Sequence, residues 1–316
     1  MAVDRMAMLA EEPAEQGGRG AWQRWFLLLL SNRKALFGLT ILLVFALLAI
    51  LAPVLRPGNP SAFVGAATQA PSAAHPLGTT GQGQDVLQQL LWGARVSLSV
   101  AFIVGVATIL IATVVGIAAA YLGGTWDAVL TLVMNIFLLI PGLPLIIVLA
   151  LFLPPGAVTI VLVLSFTSWA WPARILRAQA LSLRNRDFVA AAVVSGERSW
   201  RVMLGEMLPN IWSIVVAHFM GATVYAIGAE AALEFIGLGN VHQVTWGTML
   251  YWAENNADLE QGAWWTFMPP GLAIALVAFA LVMCNYAMDE ITNPRLRAIK
   301  MAVKREGRWW SRRAAV

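Results

Sequence analysis

The sequence predicts an all-α, polytopic membrane protein with six transmembrane helices, and three observations predict it. Hydrophobic residues make up 59% of its 316 residues and charged residues only 12%, a balance foreign to soluble domains. Apolar runs long enough to cross a bilayer, about 20 residues each as a helix, recur along the chain. The basic residues gather between alternate runs, so the net charge of +4 and the pI near 9.6 point to a membrane surface and not to nucleic acid.

Taken in order, residues 1–34 read as a cytoplasmic tail followed by an interfacial helix, in which Trp22, Trp25 and Phe26 are flanked by Arg24, Arg33 and Lys34. The other reading of this stretch is the frayed start of the first span. Residues 35–288 form the six-span domain. The first span, 35–51, ends at Pro53, and a polar loop over 54–94 follows. The second, 96–121, carries Gly105 and Gly116 as close-packing points. The third, 128–152, is interrupted by Pro141 and Pro144, which free backbone carbonyls where a helix faces protein or a polar path. The fourth covers 157–171, the fifth 211–236 and the sixth 268–288, with a second polar loop at 239–266. Residues 289–316 form a basic tail.

Orientation follows from the charges. Of 21 Lys and Arg, all but Arg56 and Arg95 fall before the first span, between the fourth and fifth, or after the sixth. The positive-inside rule therefore places both termini and the segment 172–210 in the cytoplasm and the loops 54–94 and 239–266 outside. Trp246, Trp252, Trp264 and Trp265 in the second outer loop read as an interfacial belt or as a partner-facing surface.

Within 172–210 lies an island of short helices. Asn185 is a candidate N-cap, with Asp187 in the first turn beside the positive end of the dipole. Phe188, Ala191, Ala192 and Ser195 share one face, and Gly196 is a stop signal. Ser199 is a candidate cap for a second helix running to Leu208 and Pro209. A helix–Gly–helix of this kind reads as a docking element for another protein.

Catalytic and metal-binding arrangements are not evident. The lysines Lys34, Lys300 and Lys304 follow no glycine, which excludes a P-loop. His75, His218 and His242 are far apart, no His-Glu-x-x-His occurs, and Val193-Val194-Ser195-Gly196 lacks the first glycine of an intramembrane serine-protease turn. The lone Cys284 sits in an apolar run and reads as packing. Glu230 and Glu234, at i and i+4 near the outer end of the fifth span, either line or gate a polar path or form a solvated or hydrogen-bonded helix end.

Read together, these stretches resemble the permeases of ABC importers. The island is similar to their cytoplasmic coupling loop, standing here as Ala190-Ala191-Ala192, Gly196 and Leu208-Pro209-Asn210. Three further stretches resemble the dipeptide/oligopeptide subfamily, and in particular its second permease. They are His75-Pro76-Leu77-Gly78-Thr79 with Gly83-Gln84-Asp85-Val86; Glu230 through Gly239 with Trp246-Gly247; and Pro269-Pro270-Gly271 with Asn293-Pro294-Arg295. The match departs from the pattern at Ala190, where a glutamate is usual, at Gln82 and Gln84, where leucine and arginine are common, and at Glu234, where a small polar residue is usual.

The resemblance implies a type I importer-permease fold and a non-catalytic subunit of a bacterial inner membrane. It implies a homologous permease as heterodimer partner, two cytoplasmic ATPases that use ATP and Mg, and an extracytoplasmic solute-binding protein. This chain itself would bind no cofactor. Asp187, Phe188, Ala190, Ala191, Ala192, Ser195, Gly196, Leu208 and Pro209 would form the ATPase-coupling loop. Pro141, Pro144, Glu230 and Glu234 are candidates for the path or gate, and His75, Leu77, Gly78 and Asp85 form the external-loop motif. The implied cargo is di- or oligopeptides, with oligosaccharides, glutathione or nickel as alternatives within the family. A channel or an intramembrane enzyme is the alternative outside it.

Overall fold

The computed structural model describes residues 32–292, with side chains through Met288. The predicted tail and most of the interfacial helix, the basic C-terminal tail after residue 292 and the Asn293-Pro294-Arg295 match lie outside the described residues.

Helix α1 (Arg33–Leu55) opens on Asn32, whose side chain accepts the Lys34 N–H at 3.0 Å. Pro53 does not end it. The proline falls in the last turn, where Arg56 N–H still closes on Ala52 O at 2.9 Å. Helix α2 (Val86–Leu122) has 37 residues, about 55 Å at 1.5 Å per residue. That exceeds the ~30 Å apolar layer of a bilayer. It starts ten residues ahead of the predicted span because Asp85 caps it, Oδ1 accepting the Gln88 N–H at 2.8 Å. Polar Gln88, Gln89 and Arg95 conceal that first stretch from a search for apolar runs.

The predicted third span is a broken one. Helices α3 (Gly124–Leu139) and α4 (Gly142–Phe152) meet at 89° across Ile140-Pro141, because Pro141 holds φ at −60° with extended ψ and ends the incoming ladder. Helices α5 (Ala157–Ser168) and α6 (Ala170–Arg184) bend by 41°. Helical structure thus continues thirteen residues past the expected end at 171, with Pro172 tolerated in the first turn of α6.

After α7 (Asp187–Val194) comes one nearly continuous helix. It runs as α8 (Ser199–Arg201), a π-helical segment (Val202–Met207) and α9 (Leu208–Phe235). Helix α10 (Trp246–Asn255) lies within the second loop, and α11 (Met268–Thr292) closes the described chain. Among the described residues four helices are long and apolar enough to cross a membrane, six if each bent pair is one span.

Helix α2 is the axis of the bundle, packed by α1, α5, α6 and α9. Small residues set the approach: a Cβ on Gly116 would lie 2.7 Å from Ala173 O, and one on Gly105 would collide with the Thr223 hydroxyl. Helices α1 and α11 pair the same way, since a Cβ on Gly38 would meet Ala280 O at 2.6 Å and Cys284 Sγ at 2.8 Å. Cys284 is fully buried there, as a packing residue. The core divides in two along α2. One cluster, around Val104, Ile146, Leu164, Ile227 and Trp246, lies toward the loops. The other, around Ile117, Met134, Leu176, Val189 and Met207, lies toward the island.

Candidate functional site

The island is built as a short helix laid against the bundle. Helix α7 begins after Arg186, the N-cap, which supplies no side-chain bond, while Asn185 is instead the C-cap of α6. The reason is the Arg184-Asn185-Arg186 corner, where Arg186 N–H closes on Leu183 O at 2.9 Å and so finishes α6 first. Gly196 stops α7 as expected. With φ at +78° it lets its own N–H reach Val193 O at 3.0 Å and Glu197 N–H reach Ala192 O at 3.1 Å, the paired bonds of a Schellman ending. Ser199 is the first residue of α8 and not its cap, the N-cap being Arg198.

Facing differs in one respect from the predicted face. Val189 is buried in the island-end core and Ala192 packs beside it, so Ala192 looks inward. Phe188, Ala190, Ala191, Ser195 and Gly196 are exposed, with Asp187 in the first turn. Val194 is 87% exposed and Leu204 51%. Both extend the apolar surface, and Val194 escapes a search restricted to the Phe188 spacing. Leu208 packs on the island-end core and Pro209 is exposed. Both belong to the start of the fifth span, whose Leu208 N–H bonds Met203 O in π register.

At the loop end, Glu230 and Glu234 are 1% and 2% exposed, which overturns the reading as a solvated helix end. Glu234 Oε2 accepts the Thr245 hydroxyl, and Gly239 and Gly247 wrap its side chain so closely that a Cβ on Gly239 would lie 2.6 Å from Glu234 Cγ. Thr245 in turn caps α10 through a reciprocal box, Thr248 N–H to Thr245 Oγ1 at 3.0 Å and Thr245 N–H to Thr248 Oγ1 at 2.9 Å. Both oxygens of Glu230 are buried without a hydrogen-bond partner, and the facing hydroxyl is Ser97 on α2. Ser97 Oγ also receives the Trp246 N–H at 3.2 Å. Ser97 and Thr245 escape sequence reasoning because the pairs that matter span α2, α9 and α10.

The external-loop motif proves to be a brace. His75 Nδ1 stands 2.9 Å from Asp85 Oδ2 while Asp85 caps α2. Gly78, at φ +72°, leaves room for Trp265, whose Nε1 donates to Thr79 O at 3.1 Å. Leu77 packs against the loop-end core. Beside this brace Gln82, Gln84, Gln89, Gln243 and Trp252 line a cavity of about 270 Å³. Pro141 and Pro144 lie apart from both sites, exposed at the break between α3 and α4. The structure therefore joins Glu234 to Thr245 and His75 to Asp85, and it does not bring the prolines to the carboxylates. Among the described residues no three His, Cys, Asp or Glu side chains are placed to hold a metal ion.

Comparison with known proteins gives matches along most of the chain. Residues 112–298 match the family described as binding-protein-dependent transport system inner membrane component. Residues 20–76 match the N-terminal transmembrane domain of oligopeptide transport permease C. A dipeptide transport system permease protein of Bacillus subtilis is 30% identical over 298 residues, covering 93% of this chain and 91% of its own. The dipeptide permease of Alkalihalophilus pseudofirmus is 30% identical over 283 residues (88% and 91%). The oligopeptide transport system permease protein of Bacillus subtilis is 29% identical over 278 residues (87% and 90%).

Proposed function

Because the chain belongs to the family of binding-protein-dependent transport system inner membrane components, a family of transport permeases and not of enzymes, we propose that it is the membrane-spanning subunit of an ATP-driven importer of di- and oligopeptides. The relatives named for dipeptide and oligopeptide transport support that cargo over oligosaccharides, glutathione or nickel. In this reading the chain pairs with a homologous permease, two cytoplasmic ATPases bind and hydrolyse ATP with Mg, and a solute-binding protein delivers cargo from outside. The chain holds no cofactor of its own. It spans the inner membrane with both termini in the cytoplasm, the orientation given by the positive-inside distribution of Lys and Arg.

The observation that carries the reading is the island. Helix α7 presents Phe188, Ala191 and the 87%-exposed Val194 on the basic side of the bundle, where lipid would not cover them. A short apolar helix presented to water is the donor half of a helix-in-groove contact. The groove would belong to an ATPase, and closure of two ATPases would rock the spans between inward-facing and outward-facing states.

Affinity isolation from native membranes tests this, comparing wild type with Ala191→Arg and Gly196→Asp. Both positions are exposed, so the bundle should survive, although Gly196→Asp also strains the φ of +78° that ends α7 and Ala191→Arg is the cleaner test. An unpaired charge in the contact costs several kcal/mol, enough to release the partner. Loss of an ATPase with retention of the second permease is expected. Absence of any ATPase with the wild type would leave a channel as the better account. Uptake of labelled di- and oligopeptides, compared with oligosaccharides, glutathione and Ni²⁺ in cells with and without the gene, tests the cargo.

A further inference from the structure

The cavity beside the external brace has a chemistry of its own. Its walls come from the first loop and the start of α2 on one side and from residues 241–252 on the other. Several wall groups are fixed by bonds within the protein. Gln84 Nε2 donates to Ser61 O at 3.2 Å and its carbonyl accepts from Gln89 Nε2. Trp252 Nε1 donates to Val241 O at 2.9 Å, and Thr248 Oγ1 donates to Gln243 O at 2.8 Å. The half-buried Gln82 and Gln243 and the exposed His242 line the space together with apolar Val244 and Met249. Among the described residues no Lys, Arg, Asp or Glu lines it. The nearby Asp85 is buried and turned to His75 and the start of α2.

Each carboxamide offers two donors and an acceptor and no charge. That set matches successive N–H and C=O groups of an extended chain. It offers no counter-charge to an α-ammonium or α-carboxylate, which would lose water here without compensation. At about 270 Å³ the cavity falls just below the ~300–1,000 Å³ of whole-ligand pockets, so it holds a segment of a chain and not an entire oligopeptide. We propose that this cavity is an entry subsite that takes the uncharged interior backbone of a cargo peptide and leaves the charged ends outside. The inference rests on the peptide-importer reading above and adds to it a preference for internal backbone over termini.

The test places a photoreactive benzophenone side chain at Val241, on the cavity wall, in the full chain within its membrane-extracted assembly, and offers radiolabelled pentaalanine. The expected result is label on this chain. Excess unlabelled pentaalanine and its N-acetylated, C-amidated form should compete equally. Gln82→Leu combined with Gln243→Leu should cut labelling about tenfold, the loss of one or two neutral hydrogen bonds. Failure to label, competition by the free peptide alone, competition by maltotriose, or label passing instead to a solute-binding protein would each overturn the subsite. Pentaalanine uptake by whole cells separates the two levels. If uptake depends on this gene but the cavity is not labelled, only the subsite falls. If uptake does not depend on the gene, the peptide-importer reading falls with it.

Discussion

Arg177 grips Asp127 with both arms of its guanidinium, Nε to Oδ1 and Nη2 to Oδ2, each at 2.6 Å. Fifty residues separate them in sequence, one in the first turn of α3 and the other midway along α6. Thr131 adds a bond to the same carboxylate at 3.2 Å, and Arg184 closes over Gly123, where a Cβ would lie 2.6 Å from its Nη1. The α2–α3 turn is thereby fastened to the helix that leads into the island. Bidentate geometry makes lysine a poor substitute.

Arg177→Lys and Asp127→Asn are each expected to cost about 1.5–3 kcal/mol, the range for hydrogen bonds to charged groups. Thermal unfolding in detergent reads the loss. Because the two changes remove one interaction, the double variant should melt close to the single ones. Strict additivity would show that the pair is not coupled.

Gly116→Val is expected to push α6 away from α2, because even a Cβ would stand 2.7 Å from the Ala173 carbonyl. Overpacking of this kind costs about 1–3 kcal/mol. Gly205→Ala, where a Cβ meets nothing within 4 Å, is the control. Equal melting of the two variants would refute close packing of these helices.

Asp258, in the turn after α10, is 1% exposed, and burial pushes its carboxyl above the ordinary aspartate range. The Thr266 hydroxyl and the Gly81 amide face the carboxylate and oppose that rise without cancelling it. The sign follows from linkage. An unfolded carboxyl gives up its proton first, so the unfolded state gains relative stability as pH climbs from about 3.8 through the raised native value. Asp258→Asn removes that loss. Its melting temperature should exceed the wild type's at pH 7 by more than at pH 4. A gap independent of pH would contradict the assignment.

Glu230 and Glu234 should answer mutation in opposite ways. Glu230 has the Ser97 hydroxyl facing it but no hydrogen bond of good geometry among the described residues, so Glu230→Gln, which keeps the shape and removes the ionisable group, should raise the melting temperature. Thr245→Val strips the hydroxyl from Glu234 and opens the α10 cap, a loss of about 1–3 kcal/mol. A fall with Glu230→Gln would reveal a partner for that carboxyl.

Much of the fold was legible because its signals are local. Apolar length marks spans, Gly196 marks a helix end, and Gly105 and Gly116 mark close crossings, each readable within a few residues. The misreadings share a cause in competition between neighbouring elements. Asn185 looks like a cap for α7, yet α6 uses it first. Asp85 looks like a loop residue, yet it starts a helix whose opening turns are polar. Pro53 looks like a stop but stands where the last turn can absorb it. Distant pairings were beyond reach. Neither Asp127–Arg177 nor Glu234–Thr245 leaves a periodic trace, since their partners meet only after the helices pack.

The π-helical segment Val202–Met207 carries one consequence for how the island is aimed. Its Leu208 N–H reaches back five residues to Met203 O, one more than an α-turn allows, so the segment stores a single extra residue. In an α-helix one residue is a rotation of about 100°. Everything ahead of the segment, Trp200 and the island with it, therefore points about a quarter-turn away from the azimuth a straight extension of α9 would give it. Removing exposed Gly205 would take out the stored residue, so the ladder could close in α register with the island's azimuth nearly unchanged. A lineage can thus gain or lose one residue in this segment while its partner-facing helix keeps its aim, with no side chain at the contact altered.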